Sequence, residues 1–238
     1  MIEIEKSVVL ITGADGGIGS ALLEELIRNN VKKIYATGRN LESLQKIEQK
    51  YSGIVVSVVV DVTDPENVKA CAEKCSDTTI LINNAGVELK IPFIAEKASV
   101  AALFEMKVNY IGVLDMVNCF LPHLKTAEAP VIVNILSMGS LVIVKRLGTY
   151  CASKAATHIF TETIREELKE DGIKVIGVYP GYVNTNMVPE EVSSKKSNPI
   201  DIAREICKGI SKGEERIFPD EISTDFINNN PIDTKFYE

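Results

Sequence analysis

Apolar residues along this chain follow two rhythms, short unbroken runs and longer stretches in which they recur every three or four positions. The runs at 7–11, 33–37, 54–60, 79–82, 131–135 and 173–179 predict strands covered on both faces, with 216–218 as a short seventh. Between them, Leu22, Leu23, Leu26 and Ile27 predict a first helix, and Leu41, Leu44 and Ile47 a second. Thr63 with Glu66, and Pro65 in the first turn, reads as the capped start of a third helix ending near Cys75. A long helix is expected over 99–124, another from Tyr150 with Thr149 as its N-cap and Asp171-Gly172 as its stop, and a last one over 199–210. The polar stretch 184–198 reads as a mobile loop. Strand and helix alternate throughout, which predicts an α/β fold, a doubly wound parallel sheet in three layers, as a single domain over 1–238.

The first strand runs directly into Thr12, Gly13, Ala14, Asp15, Gly16, Gly17, Ile18 and Gly19, and then into the first helix. Glycines between a buried strand and a helix allow a tight turn and bring backbone amides close to a pyrophosphate, the signature of a dinucleotide-binding Rossmann fold. The second strand ends at Gly38-Arg39, where such a fold reads the ribose. An arginine there suits the 2′-phosphate of NADP, so NADP(H) is favoured, while Asp15 in the glycine loop keeps NAD(H) open. The fourth strand ends in Asn83-Asn84-Ala85-Gly86, at the carboxyl edge where open α/β sheets bind ligands.

Tyr150 and Lys154 stand at i and i+4 of one helix, so their side chains can meet. A phenol titrates near about 10 alone, and a neighbouring ammonium favours its ionised form, which would make the tyrosine a usable acid or base near neutrality. Ser137 lies just past the fifth strand, thirteen residues earlier.

The chain of 238 residues, 45% hydrophobic, is long enough for a sizeable core. A net charge of -7 and a pI near 5.1 offer no field for a phosphate backbone, and Lys195-Lys196 is too short a basic run, so no nucleic-acid partner is expected. No signal peptide or membrane span is read, which predicts a cytoplasmic protein with no membrane partner. Five scattered cysteines read as reduced thiols, and with two histidines no metal site is expected.

Together these residues resemble the short-chain dehydrogenase/reductase family over nearly the whole chain. The matching positions are Thr12, Gly13, Gly17 and Gly19, Asp61 after the third strand, Asn83 to Gly86, Asn109, Ser137, Tyr150 with Lys154, and Pro180-Gly181 with Thr185. The resemblance implies that Tyr150 donates or accepts the proton, Ser137 holds the substrate oxygen, Lys154 lowers the tyrosine pKa and binds the nicotinamide ribose, and Asn109 anchors a water. It also implies a cofactor site comprising Gly13, Asp15, Gly17, Ile18, Gly19, Arg39, Asp61, Val62, Asn84, Ala85, Gly86, Tyr150, Lys154, Pro180, Gly181, Val183 and Thr185. Gly16 and Leu136 depart from common family choices, and the ending after Phe218 departs from that of ketoacyl reductases.

Met138, Leu141, Val142, Tyr182, Met187 and Val188 would face an apolar carbonyl or alcohol substrate, with Glu88 and Lys145 as polar exceptions. A competing reading is a catalytically silent dinucleotide-binding sensor or regulator. In the 99–124 helix Ile111 and Leu114, with Phe104 and Leu121, lie away from Asn109 among few polar residues. A helix apolar nearly all round predicts a homodimer, and the family's paired helices point the same way, with a tetramer left open.

Overall fold

The computed structural model describes residues 1–188 and 196–232, so 189–195, within the stretch read as a loop, lie outside the described residues. The strands β1 (Val8–Thr12), β2 (Lys33–Gly38), β3 (Val55–Val59), β4 (Ile80–Asn83), β5 (Val131–Ile135), β6 (Lys174–Val178) and β7 (Arg216–Ile217) form one sheet in the order β3-β2-β1-β4-β5-β6-β7. Every pairing is parallel. The order turns about between β1 and β4, which opens a crevice at their carboxyl ends.

The unbroken apolar runs follow from cover on both faces. Val9 and Ile11 of β1 pack with α1 (Gly17–Arg28), α2 (Leu41–Lys50) and α7 (Pro199–Lys212) through Leu22, Leu26, Leu44 and Ile206. Val8 and Leu10 pack on the other face with α3 (Pro65–Lys74), α5 (Gly112–Leu124) and α6 (Gly148–Glu167) through Val68, Phe120 and Ile164. The three-layer, doubly wound sheet expected from the sequence is therefore the observed fold.

Several boundaries differ from expectation. Asp64, not Thr63, caps α3, its carboxylate accepting from the amides of Glu66 and Asn67, because Thr63 donates its own N–H and hydroxyl to Asp61. The helix expected over 99–124 is α4 (Ala98–Met106) and α5 joined by a π-helical turn at Lys107–Ile111. That turn carries Asn109, whose carbonyl accepts from the Thr157 hydroxyl at 2.8 Å. Helix α6 begins at Gly148 with Leu147 in the cap position. Thr149 instead donates its hydroxyl across the chain to the Ile91 carbonyl. The same helix stops at Glu167, and Asp171-Gly172 belong to the turn that follows.

Residues beyond Phe218, with no element expected, contain α8 (Glu221–Asn229), capped reciprocally by Asp220 and Ser223. Helix α6 also turns an unexpected face inward. Ser153, Lys154, Thr157, Thr161, Glu162 and Arg165 are buried, whereas the apolar Ile159 is 62% exposed.

Candidate active site

A cavity of about 650 Å³ lies along the carboxyl edge of the sheet, reaching from the glycine turn to α8. Gly13, Asp15, Gly17 and Ile18 line one end, with Arg39 beyond β2. A Cβ on Gly17 would stand 2.3 Å from Thr185 Cγ2, and one on Gly19 would stand 2.1 Å from the Gly13 carbonyl. Side chains at these two positions would fill the cradle or push α1 off the turn. Gly19 thus lies behind the cavity wall and shapes it without lining it.

Side-chain hydrogen bonds fix the neighbouring loops. The Asn84 amide donates to the carbonyls of Thr12 at 2.8 Å and Gly13 at 3.0 Å, and Thr12 Oγ1 accepts from the N–H groups of Asn84 and Ala85. Asp61 accepts two hydrogen bonds from Thr63, which hold its carboxyl below the usual range. It lines the cavity with Val62, as do Asn84, Ala85 and Gly86. Across the crevice are Pro180, whose carbonyl accepts from Met138 N–H, and Gly181, whose N–H donates to Asp220 at 2.7 Å. Val183 and Thr185 complete that wall.

Ser137, Tyr150 and Lys154 line the same cavity where β5 ends and α6 begins. Tyr150 is 8% exposed, and burial pushes its phenol above the ordinary value, partly opposed by hydrogen bonding with Ser137. Lys154 is 5% exposed and donates to the Ile135 carbonyl at 2.8 Å; burial brings it down to about 8. Its Nζ lies 5.9 Å from the centre of the Tyr150 ring. The two side chains are neighbours without a direct hydrogen bond, and in the protein alone burial, not the ammonium, dominates the phenol.

Asn109 does not line the cavity. Fully buried, it accepts from Val87 N–H at 2.8 Å and donates to the Val87 carbonyl and to Ser153 Oγ, both at 2.9 Å. It meets the cavity lining through Gly86, where a Cβ would lie 3.2 Å from its Oδ1 and 3.5 Å from Lys154 Nζ.

The remaining end is mostly apolar. Met138, Val142, Tyr182, Met187 and Val188 line it as expected, but Leu141 packs away in a cluster with Met138 and Tyr179. Glu88 lines the cavity, whereas Lys145 is exposed outside it. Val144, Leu147, Ile222 and Phe226 also line this end and were missed in the sequence. For the last two the signal was legible: Asp220 and Ser223 have capping-box spacing ahead of apolar residues at i and i+4.

Among the described residues no cluster of three metal-ligating side chains occurs, and no helix is long and apolar enough to cross a membrane. The five cysteines are free thiols.

The model of the short chain dehydrogenase family matches residues 7–196. An uncharacterised oxidoreductase of Staphylococcus saprophyticus is 33% identical over 213 residues, which cover 85% of this chain and 90% of that protein. Estradiol 17-beta-dehydrogenase 2 of Rattus norvegicus is 31% identical over 82% of this chain, which spans 53% of that longer relative. A short chain dehydrogenase from Burkholderia cenocepacia, solved in complex with NADP, superposes with a TM-score of 0.90 at 33% identity, over 98% of this chain and 95% of its own. One from Burkholderia phymatum in complex with NAD, 24% identical, shares the fold with a TM-score of 0.85 over the whole of both chains. The chain therefore belongs to the short-chain dehydrogenase/reductase family of NAD(P)-dependent oxidoreductases.

Proposed function

We propose that this chain interconverts a carbonyl and a primary or secondary alcohol with NADP(H), using Tyr150 as the proton donor and acceptor. The observation that supports it most is that one cavity joins the glycine turn to Ser137, Tyr150 and Lys154. The cradle at the glycine turn fits a dinucleotide, because a Cβ at Gly17 would fill it and one at Gly19 would push α1 off the turn that shapes it. No side chain caps α1, which leaves its first-turn N–H groups for a pyrophosphate. A dinucleotide bound there would supply the hydride chemistry.

The protein's own residues handle the oxygen. Burial keeps the Tyr150 phenol protonated at neutral pH, so Oη can donate as negative charge develops on the substrate oxygen. Ser137 Oγ orients the same oxygen by hydrogen bond. Lys154, held in place by the Ile135 carbonyl, keeps a partly neutralisable ammonium beside the phenol and would have N–H groups left to hold a cofactor ribose. Asn109 acts behind them through Val87 and Gly86. The apolar walls from Met138 to Phe226 favour a substrate with an apolar body and exclude water from it.

NADP is preferred over NAD because Arg39 brings a guanidinium to the ribose end, and Asp15 is the opposing charge there. The free thiols suit a reducing cytoplasm. The chain works as a homodimer through the run from α4 through the π-helical turn into α5, together with α6, where Val100, Leu103, Phe104, Ile111 and Ile159 are exposed; Leu114 and Leu121 are only partly so.

Three outcomes are expected. Tyr150→Phe keeps NADPH binding in a fluorescence titration but lowers kcat by about a thousandfold or more; a variant turning over at close to the parent rate contradicts the proton role. Arg39→Asp weakens NADPH at least about tenfold more than NADH, as a charge-assisted contact becomes a repulsion; a wild type already tighter for NADH contradicts the cofactor preference. Light scattering on a sizing column should give twice the chain mass, and Ile111→Asp should shift it toward the monomer. A monomeric wild type at high concentration ends the dimer assignment.

A further inference from the structure

Among the described residues Glu88 is the one carboxylate that lines the substrate end, beside Met138, Val142, Leu147, Tyr182 and Phe226. It is half-buried and has neither an ion pair nor a hydrogen bond among the described residues. Its backbone is held firmly. Asn109 grips both polar groups of Val87, the Glu105 carboxylate accepts from Leu89 N–H at 2.7 Å, and Thr149 holds the Ile91 carbonyl. A half-buried carboxylate on a clamped loop stays against the cavity instead of swinging into solvent.

The surroundings make its charge costly to hold without a counter-ion. Glu105 is fully buried, and its second oxygen has no partner, so a second acid stands behind the first. Burial pushes the Glu88 carboxyl upward, Lys90 draws it down and Glu105 pushes it up again. Both acids also press the Tyr150 phenol upward, which puts them in electrostatic reach of the reacting oxygen. The nearby cations Lys90, Lys145 and Arg146 are exposed and line no part of the cavity, while Lys154 is committed to the Ile135 carbonyl. Among the described residues the substrate end thus pairs apolar walls with one negative group that has no ion pair, an arrangement that costs free energy unless a cation arrives.

We propose that Glu88 determines specificity by pairing with an ammonium group on the substrate, so that the preferred substrates are amino ketones and amino alcohols with an otherwise apolar body. This rests on the oxidoreductase reading above, but its test does not depend on turnover. The probes are two aryl alkyl ketones, and their alcohols, that differ only in a methyl against an ammonium at the same position.

Calorimetry measures binding of the two alcohols to the full chain in the presence of NADP+, and kcat/KM is measured for the two ketones. The ammonium alcohol should bind the wild type at least about tenfold tighter than the methyl alcohol, a ratio that Glu88→Gln abolishes and Glu88→Leu inverts. Equal binding of the pair, binding of neither, or a preference that survives in both variants overturns the proposal. Discrimination in binding with neither ketone reduced upholds Glu88 and contradicts the carbonyl–alcohol interconversion proposed above.

Discussion

The structure depends on how α6 is set against the sheet. The helix packs by polar groups, and every such group taken from water must find a partner or cost about 1–3 kcal/mol. The partners form a connected path. Asn83 donates to Asn134, Asn134 to Thr161, Thr161 to the Thr157 carbonyl, and Thr157 to the carbonyl of Asn109. Asn109 in turn donates to Ser153 and grips Val87, while Lys154 is tied to Ile135. A slip of α6 by one residue would break most of these bonds together. That fixes Tyr150 and Lys154 relative to β5, and so relative to Ser137, more tightly than apolar packing would.

The same helix also anchors the α8 wall of the cavity. Glu162, buried on α6, pairs with Arg165 at 2.6 Å and with Arg216 of β7. Burial works to raise its carboxyl, but hydrogen bonds from Arg216 and Arg165 hold it down to about 2. Arg165 reaches on to the carbonyls of Val175 and Glu215. His158 and Glu162 both meet the Tyr179 hydroxyl, and the Tyr179 ring stacks on Phe218. Beyond Phe218 the chain turns at Asp220, which holds Gly181 N–H and caps α8, so Ile222 and Phe226 come to the substrate end. The α8 wall of the cavity and Tyr150 with Lys154 are therefore all anchored through one helix.

Much of this was legible in the sequence because local rules and global packing agree there. The strands read correctly since runs such as Val8 to Ile11 face cores on both sides, and the glycine turn read correctly since strand and helix meet at it. What escaped was set by contacts distant in sequence. The Thr63 cap lost to Asp64 because Asp61 claims Thr63, and the π-helical turn at Asn109 is sustained by Thr157, forty-eight residues away. Periodicity in α6 gave a helix but not its buried face, because Ile159 is exposed and Thr161 is not. The pairing of Tyr150 with Lys154 was a matter of spacing; the dominance of burial over the ammonium was not.

That dominance is the central claim about the site, and it is directly measurable. Phenolate absorbance of the cofactor-free wild type is titrated against pH, with Tyr150→Phe subtracted to isolate one group. Burial predicts no phenolate from Tyr150 below about pH 10, the ordinary value for a free phenol. A Tyr150 phenolate already forming near neutrality in the cofactor-free chain would contradict the account.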